Sequence, residues 1–399
     1  MRNKTICVVG LGYIGLPTAA LLANRGYKVH GVEIIQNTVD TINHGKIHIV
    51  EPGLDTFVRS AVNSGRLEAD TMPKESDIFI IAVPTPFHEG FIPNIDYVID
   101  ATKSIAPYVK AGNIVILEST SPVGTTEKVA EVLEQKGVDI SSIYIAHCPE
   151  RVLPGQIMQE LVANDRIVGG ITPEAAKETA AFYKTFVDGE VLQTDAKTAE
   201  MSKLTENSFR DTNIAFANEL SILCDKFGID VWELISLANR HPRVNILRPG
   251  AGVGGHCIAV DPWFIVHKGG KDAKMIRTAR EVNMYKTEWV IEKIKNAALA
   301  YENEHGKKAK IACMGLAFKP NIDDLRESPA LYITRRLISD NLDVLAVEPN
   351  IHSSDEFTLV DFGQAVNEAD IVVFLVSHKE FGDLNTENKI VLDFCGINK

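Results

Sequence analysis

The segment Cys7-Val8-Val9-Gly10-Leu11-Gly12-Tyr13-Ile14-Gly15 puts a G-x-G-x-x-G pattern directly after an apolar β-rich run, Thr5–Gly10, and directly before Leu16–Asn24, which reads as the start of a helix. In that context Gly10 makes a tight turn, Gly12 lets a pyrophosphate approach the backbone, and Gly15 lets the helix lie close on the strand. The N–H groups at Tyr13 and Ile14 face phosphates from the positive end of the helix. Glu33 ends the next strand, Lys28–Glu33, at roughly the 20-residue offset of a ribose-binding acid. A carboxylate there accepts from the adenosine ribose hydroxyls and repels a 2′-phosphate, which favours NAD over NADP. The alternative is a glycine-rich turn without ligand.

The strand–helix rhythm continues. Asp77–Val83, Asn113–Glu118 and Ser142–Ala146 are apolar runs without alternation, the pattern of a parallel sheet covered on both faces. Residues 1–195 are therefore expected to form an N-terminal Rossmann-type α/β domain with a doubly wound parallel sheet. Ala82-Val83-Pro84-Thr85-Pro86 and Glu118-Ser119-Thr120-Ser121-Pro122 each follow a strand. Ligands of open parallel sheets lie beyond such strand ends, so Thr85 and Thr120 are candidates to touch the nicotinamide half, although Thr and Pro also serve plain turns. Ala196–Phe227 holds no Gly or Pro, which predicts a helix about 45 Å long. Val231–Asn239 and the stretch from Lys274 to Tyr301 follow as helices, so residues 196–300 read as a central long-helix all-α domain whose long helix suits a homodimer interface. Tyr301–Lys308 reads as a charged linker. Beyond it, strands at Lys310–Gly315, Asp343–Val347, Asp370–Val376 and Lys389–Phe394, with a helix at Pro329–Ser339, predict a smaller C-terminal Rossmann-like α/β domain over residues 301–399.

The 399 residues, 45% hydrophobic and 24% charged, have the composition of a soluble globular chain. The formal charge of −12 argues against nucleic acid as a partner. No apolar run approaches the ~20 residues of a membrane span, and Met1-Arg2-Asn3-Lys4 leads into a strand without a signal-peptide core. The expectation is a cytoplasmic protein with no membrane partner. The six cysteines form no C-x-x-C pair and no metal site is evident. Cys7, Cys313 and Cys395 read as small core residues; Cys224 lies on a helix and Cys148 just after a strand.

Cys257 is different. It ends Gly250-Ala251-Gly252-Val253-Gly254-Gly255-His256, with Asp261 four positions on. Glycines at this density let the backbone approach a ligand, and a thiol among backbone N–H groups is a usable nucleophile; a linker carrying an inert Cys is the other reading. On the long helix, Lys203, Asn207 and Arg210 stand at i, i+4 and i+7, one face. They could hold an anionic, hydroxyl-bearing ligand, or be a solvated face with Glu206 and Asp211 as ion-pair partners.

The opening Gly-Leu-Gly-Tyr-Ile-Gly-Leu-Pro, Lys203 with Asn207, Gly254-Gly255-His256-Cys257 with Asp261, and Gly315-Leu316-Ala317-Phe318-Lys319-Pro320 with Arg326-Glu327-Ser328 together resemble the UDP-glucose/GDP-mannose dehydrogenase family, in order and over nearly the whole chain. Cys148–Gly155, Leu204–Asp211 and Asn239–Asn245 are most similar to members acting on UDP-N-acetyl-D-mannosamine (UDP-ManNAc). The resemblance implies oxidation of a sugar 6-hydroxyl to a carboxylate with two NAD, through a thiohemiacetal and thioester on Cys257, for surface polysaccharide synthesis. It implies Lys203 as acid/base or oxyanion cation and Asn207 as donor to the same oxygen, with Asp261 or Glu150 activating water. It gives the UDP-sugar to Arg151, Val152, Arg210, Gly254, Phe318 and Lys319, and to His241 and Arg243 of a neighbouring subunit, and brings Arg326 to NAD across a dimer. Glu33, where Asp is common in relatives, leaves NAD preferred. His256, where several UDP-glucose enzymes carry Ser, weakens glucose as the substrate. UDP-GlcNAc or UDP-glucose chemistry, a two-electron β-hydroxyacid dehydrogenase and a dinucleotide sensor are the competing readings; a sensor has no reason to carry Lys203, Asn207 and Cys257 together.

Overall fold

In this computed structural model, residues 4–397 and 399 are described; Met1, Arg2 and Asn3, which the sequence leads into the first strand, lie outside the described residues. Contacts divide the chain into one unit up to Thr205 and another from Glu206 onward.

In the first unit, β1 (Thr5–Val9), β2 (Lys28–Val32), β3 (Leu67–Asp70) and β4 (Ile78–Ile81) are followed by a small hairpin, β5 (Phe87–His88) and β6 (Ile92–Pro93). Then come β7 (Ile114–Leu117), β8 (Tyr144–His147), β9 (Arg166–Gly170) and β10 (Val191–Asp195). The hairpin apart, they form one sheet in the order β10-β9-β8-β7-β4-β1-β2-β3. Ile6 and Val8 pack into one buried cluster while Cys7 and Val9 pack into another, so both faces of β1 are dry, as the unalternated apolar runs require. The order reverses direction at β1, between β2 and β4, which opens a ligand crevice at the carboxyl ends of β1 and β4.

The sheet departs from the all-parallel expectation at one pair: β9 runs antiparallel to β8, with Ala146 opposite Gly170. The connection, including the helix Ile157–Ala163, re-enters the sheet from the carboxyl edge of β8. Cys148–Gln156 is thereby kept at the carboxyl end of β8.

The helix Ala196–Phe227 begins in the first unit and continues into the second. The second unit adds the helices Val231–Ala238, Asp261–Gly269 and Lys274–His305. The last is longer than expected and absorbs most of the supposed linker. Tyr301 is buried, its hydroxyl donates to Asp370 at 2.6 Å, and His305 stacks on its ring at 4.0 Å. Gly306, at φ 69°, then ends the helix in the left-handed conformation that glycine tolerates. A four-stranded parallel sheet closes the chain: β11 (Lys310–Met314), β12 (Asp343–Val347), β13 (Ile371–Phe374) and β14 (Ile390–Asp393), ordered β12-β11-β13-β14.

Candidate active site

The turn after β1 is shaped by exclusion. A Cβ on Gly10, which sits at φ +90°, would stand 2.6 Å from the Ala82 carbonyl oxygen, and one on Gly15 would stand 1.8 Å from that of Gly10. Gly12 instead faces open space within 4 Å of its Cβ position. Two glycines are thus forced by packing, and the third leaves the room a pyrophosphate needs. The helix that follows, Gly15–Asn24, has no side-chain cap at Ile14, which suits a phosphate-binding end. Tyr13 is exposed. Glu33 accepts the Leu11 N–H at 3.3 Å with one oxygen and that of Ile35 at 3.3 Å with the other. Its carboxylate therefore borders the turn. These features fit NAD.

Thr85 and Thr120 come together: the Thr85 hydroxyl donates to the Thr120 carbonyl at 2.6 Å. The loops after β4 and β7 are also tied by Ser119 Oγ, 2.7 Å from the Val83 carbonyl. Glu200, near the start of the long helix, accepts the Gly124 and Thr126 N–H groups at 2.6 and 2.7 Å and so caps the helix Thr125–Gln135.

Glu150 is not an open base. Its Oε2 lies 2.5 Å from Arg166 Nη1, both side chains buried, and its Oε1 accepts the Arg151 N–H at 2.7 Å. Beside it lies Glu118, which accepts the Tyr183 hydroxyl at 2.5 Å. Burial, reinforced by the Glu150 charge, pushes Glu118 up to about 7. Burial also pushes the Cys148 thiol up to about 12 and pulls His147 down to about 3. The sequence reading missed Arg166 and Tyr183. The available signal was an arginine heading the apolar strand Arg-Ile-Val-Gly-Gly, since a buried guanidinium must find an anion.

In the second unit, Cys257 is half-buried, whereas Cys7, Cys148, Cys224 and Cys313 are buried. Cys395 is half-buried just past β14, and burial holds its thiol well above the ordinary range. The Cys257 carbonyl accepts the N–H groups of Val260 and Asp261 at 3.0 and 2.9 Å, opening the helix that Asp261 begins. The buried Asp261 carboxylate accepts from the buried Asn207 amide. Cys257, Asp261 and Asn207 are therefore joined through one turn of backbone and one side-chain bond. Lys203 lies one helical turn before Asn207 on the same helix face. Arg210 is exposed. Asp211 does not serve the polar stripe as an ion-pair partner: it is buried and bound to Arg280 at 2.6 Å and to Asn283 at 2.8 Å.

That inner pair extends to the cysteine loop. Asn283 accepts from Asn218 at 2.8 Å, and Asn218 accepts the Gly250 N–H at 2.9 Å. At the other end of the loop, the Gly255 N–H donates to the Arg326 carbonyl at 3.2 Å, and a Cβ on Gly254 would meet the Glu327 carbonyl oxygen at 2.5 Å. The Arg326 guanidinium grips Asp324 through three contacts of 2.6–3.1 Å. Phe318 is half-buried and Lys319 exposed; His241 and Arg243 sit on an exposed turn, and Arg151 and Val152 are half-buried.

Residues 4–187, 197–285 and 312–399 match, respectively, the NAD-binding, central and UDP-binding domain models of the UDP-glucose/GDP-mannose dehydrogenase family. The chain is 58% identical to a UDP-N-acetyl-D-mannosamine dehydrogenase of Campylobacter jejuni, covering 98% of this chain and 99% of that one. It is 54% identical to an NDP-N-acetyl-D-galactosaminuronic acid dehydrogenase of Ralstonia solanacearum, over 99% and 96%. Among solved structures, a UDP-D-ManNAc dehydrogenase from Pyrococcus horikoshii matches with TM-score 0.90 at 40% identity, over 99% and 96%.

Proposed function

The chain belongs to the UDP-glucose/GDP-mannose dehydrogenase family, and from that premise we propose that it oxidises the 6-hydroxyl of UDP-ManNAc to the carboxylate, passing through the aldehyde. It is an NAD-dependent UDP-sugar dehydrogenase. We assign NAD binding to residues 1–195, catalysis and dimer contact to 196–300, and UDP-sugar binding to 301–399.

NAD, when bound, supplies the acceptor for the electron pair lost from C6 in each of the two oxidations. Gly10, Gly12, Tyr13, Ile14, Gly15 and Glu33 hold it, with Thr85 and Thr120 at its reactive end. Lys203 takes the proton from O6 and steadies the oxyanions that follow. Asn207 carries two amide N–H donors; one goes to Asp261 and the other serves O6. The Cys257 thiolate adds to the aldehyde carbon to give a thiohemiacetal, so the reactive aldehyde stays bound. After the second oxidation, water opens the thioester, releasing the acid and regenerating the thiol. Asp261 is the better base for that water, because the Arg166 guanidinium keeps Glu150 engaged as an ion pair. Arg151, Val152, Arg210, Gly254, Phe318 and Lys319 bind the nucleotide-sugar, His241 and Arg243 reach a neighbouring subunit's substrate, and Arg326 approaches NAD across the dimer.

The link from Cys257 through Asp261 to Asn207 is the observation that most supports this reading. Its test is to incubate the protein with NAD and a panel of UDP-sugars and count NADH per sugar consumed. A ratio near two with UDP-ManNAc is expected, and no activity on any UDP-sugar overturns it. Cys257→Ser should abolish acid formation; full turnover to the acid would leave the thioester route without support. The R. solanacearum relative, named for an NDP-N-acetyl-D-galactosaminuronic acid, adds nucleotide-linked N-acetylgalactosamine to the same panel.

A further inference from the structure

The carboxyl-terminal sheet carries a buried polar cluster that the reaction scheme leaves unused. Glu348 directly follows β12, the place that Glu33 takes after β2. Its Oε2 accepts the N–H groups of Leu316 and Ala317 at 2.8 and 2.9 Å. The same oxygen lies 3.0 Å from Nε2 of His378, which is fully buried. The tautomer follows from the other ring nitrogen. His378 Nδ1 lies 2.9 Å from the backbone nitrogen of Asn321, whose N–H can only donate, so Nδ1 accepts and Nε2–H donates to Glu348 Oε2. The Asn350 amide adds bonds to His378 Nδ1 at 3.0 Å and to Glu348 Oε1 at 3.1 Å. Burial alone would raise Glu348, but the bonds from His378, Leu316 and Asn350 outweigh it and bring it down to about 2.

The cluster staples one loop at both ends. Glu348 grips Leu316 and Ala317, and His378 grips Asn321, which sits at φ 61° and accepts the Lys379 N–H at 3.0 Å. Between those staples stand Phe318 and Lys319. The Phe318 ring lies against the glycine pair of the cysteine loop: a Cβ on Gly255 would be 2.8 Å from its Cε2, and one on Gly254 would be 2.8 Å from its Cβ. Cys257 follows Gly255 by two residues. The place that holds a ribose-binding acid in the amino-terminal sheet therefore has its carboxylate turned inward here, on its own loop.

We infer that Glu348, His378 and Asn350 are positioning residues for the chemistry at Cys257: they fix the Leu316–Asn321 loop so that Phe318 holds the Gly254–Gly255 backbone, and with it the thiol. None of the three is assigned a contact with substrate or cofactor. The inference rests on Cys257 being the nucleophile.

The pair His378→Gln and His378→Asn tests it. Gln keeps a donor near the Nε2 position and loses the acceptor that holds Asn321; Asn keeps an acceptor near Nδ1 and loses the donor to Glu348. His378→Gln should lower kcat about tenfold or more, since small misplacements of a reacting group cost that much. The KM for NAD should stay within about twofold. The rate of Cys257 alkylation by iodoacetamide, read by peptide mass spectrometry, should rise severalfold as Phe318 lets go of the loop, and His378→Asn should recover part of both effects. If either histidine variant fails to fold, Asn350→Ala, which leaves the His378–Asn321 bond in place, should show the same kcat and alkylation shifts more weakly. Folded variants with wild-type kcat and wild-type alkylation overturn the inference. A Cys257→Ser control run alongside separates the two ideas: if it still makes acid, the nucleophile reading fails, and if it is inactive while His378→Gln is normal, only the positioning role fails.

Discussion

At the scale of single residues, the amino-terminal unit concentrates its electrostatic strain around one buried group. Glu118 lies between Tyr183, whose hydroxyl it accepts, and the Glu150–Arg166 pair. Water would solvate its anion; this site does not, and the neighbouring Glu150 charge adds to the cost. Its carboxyl is therefore raised to about 7 in the folded chain, against roughly 4.3 in an unfolded one. The folded state binds more protons between those values, so this group's contribution is fully present below the unfolded value and is lost as pH rises through about 7. Glu118→Gln, which keeps an acceptor for Tyr183 and cannot ionise, should flatten that dependence. Thermal melts at pH 5 and pH 8 should show wild type losing more stability over the interval than the variant. An unchanged difference between the two pH values would mean that Glu118 does not titrate there.

At the scale of elements, residues far apart in sequence hold the segment Arg151–Ile157, whose first two residues are proposed to bind the nucleotide-sugar. Glu51, in the stretch between the helices Gln36–Asn43 and Leu54–Asn63, is buried, and its two oxygens accept the Gly155 and Ile157 N–H groups at 2.8 Å each. Glu51→Ala leaves the buried Ile157 N–H without its acceptor and frees the Gly155 N–H, on an exposed residue, to water, a loss of about 1–3 kcal/mol. It should lower the melting temperature and raise the KM for the UDP-sugar severalfold while moving the KM for NAD much less. Equal effects on both would show that Glu51 holds the whole unit rather than this segment. This contact also shows where reading from sequence stops. Ala196–Phe227 was legible to the residue, because helix propensity and the absence of Gly and Pro are local facts. So were the glycines of the first turn, whose spacing is set by backbone geometry. Glu51 with Gly155, Glu150 with Arg166 and Glu348 with His378 are not local. Each joins residues from separate elements, and nothing in the run of residues around either partner names the other. The route from Asp211 to Gly250 stayed hidden for the same reason: a carboxylate beside an arginine on a helix is most often exposed, so of the two readings of that helix face the solvated one makes Asp211 a surface ion-pair partner and neither buries it.

For the whole molecule, the long helix keeps an apolar stripe on its surface. Phe209, Phe216 and Leu223 are spaced by seven residues and are 69%, 55% and 39% exposed, and Phe227 beyond them is 64% exposed. Seven residues is close to two helical turns, so these side chains lie along one line of the helix. Burying a large apolar side chain gains about 1.5–3 kcal/mol, so a partner covering this line of the helix would gain from each of the four. A second copy of the chain is the occupant that the proposed function needs, because His241 and Arg243, on an exposed turn, are assigned to a neighbouring subunit's substrate. Among the described residues no helix is long and apolar enough to cross a membrane, so a lipid-spanning role does not account for the stripe. Light scattering on the purified protein should give twice the 43.8 kDa chain mass. Phe216→Asp places a charge at the centre of the stripe without touching the glycine turn or the cysteine loop; it should yield a monomer with unchanged far-UV circular dichroism. That monomer should bind NAD more weakly, having lost the neighbour's Arg326 but not the glycine turn, and should lose most of its turnover, because each site would lack the Arg243 and His241 assigned to its neighbour. A wild-type protein that runs as a monomer, or a Phe216→Asp monomer with full activity, would remove the stripe from the functional assembly and return His241 and Arg243 to the surface as solvated side chains.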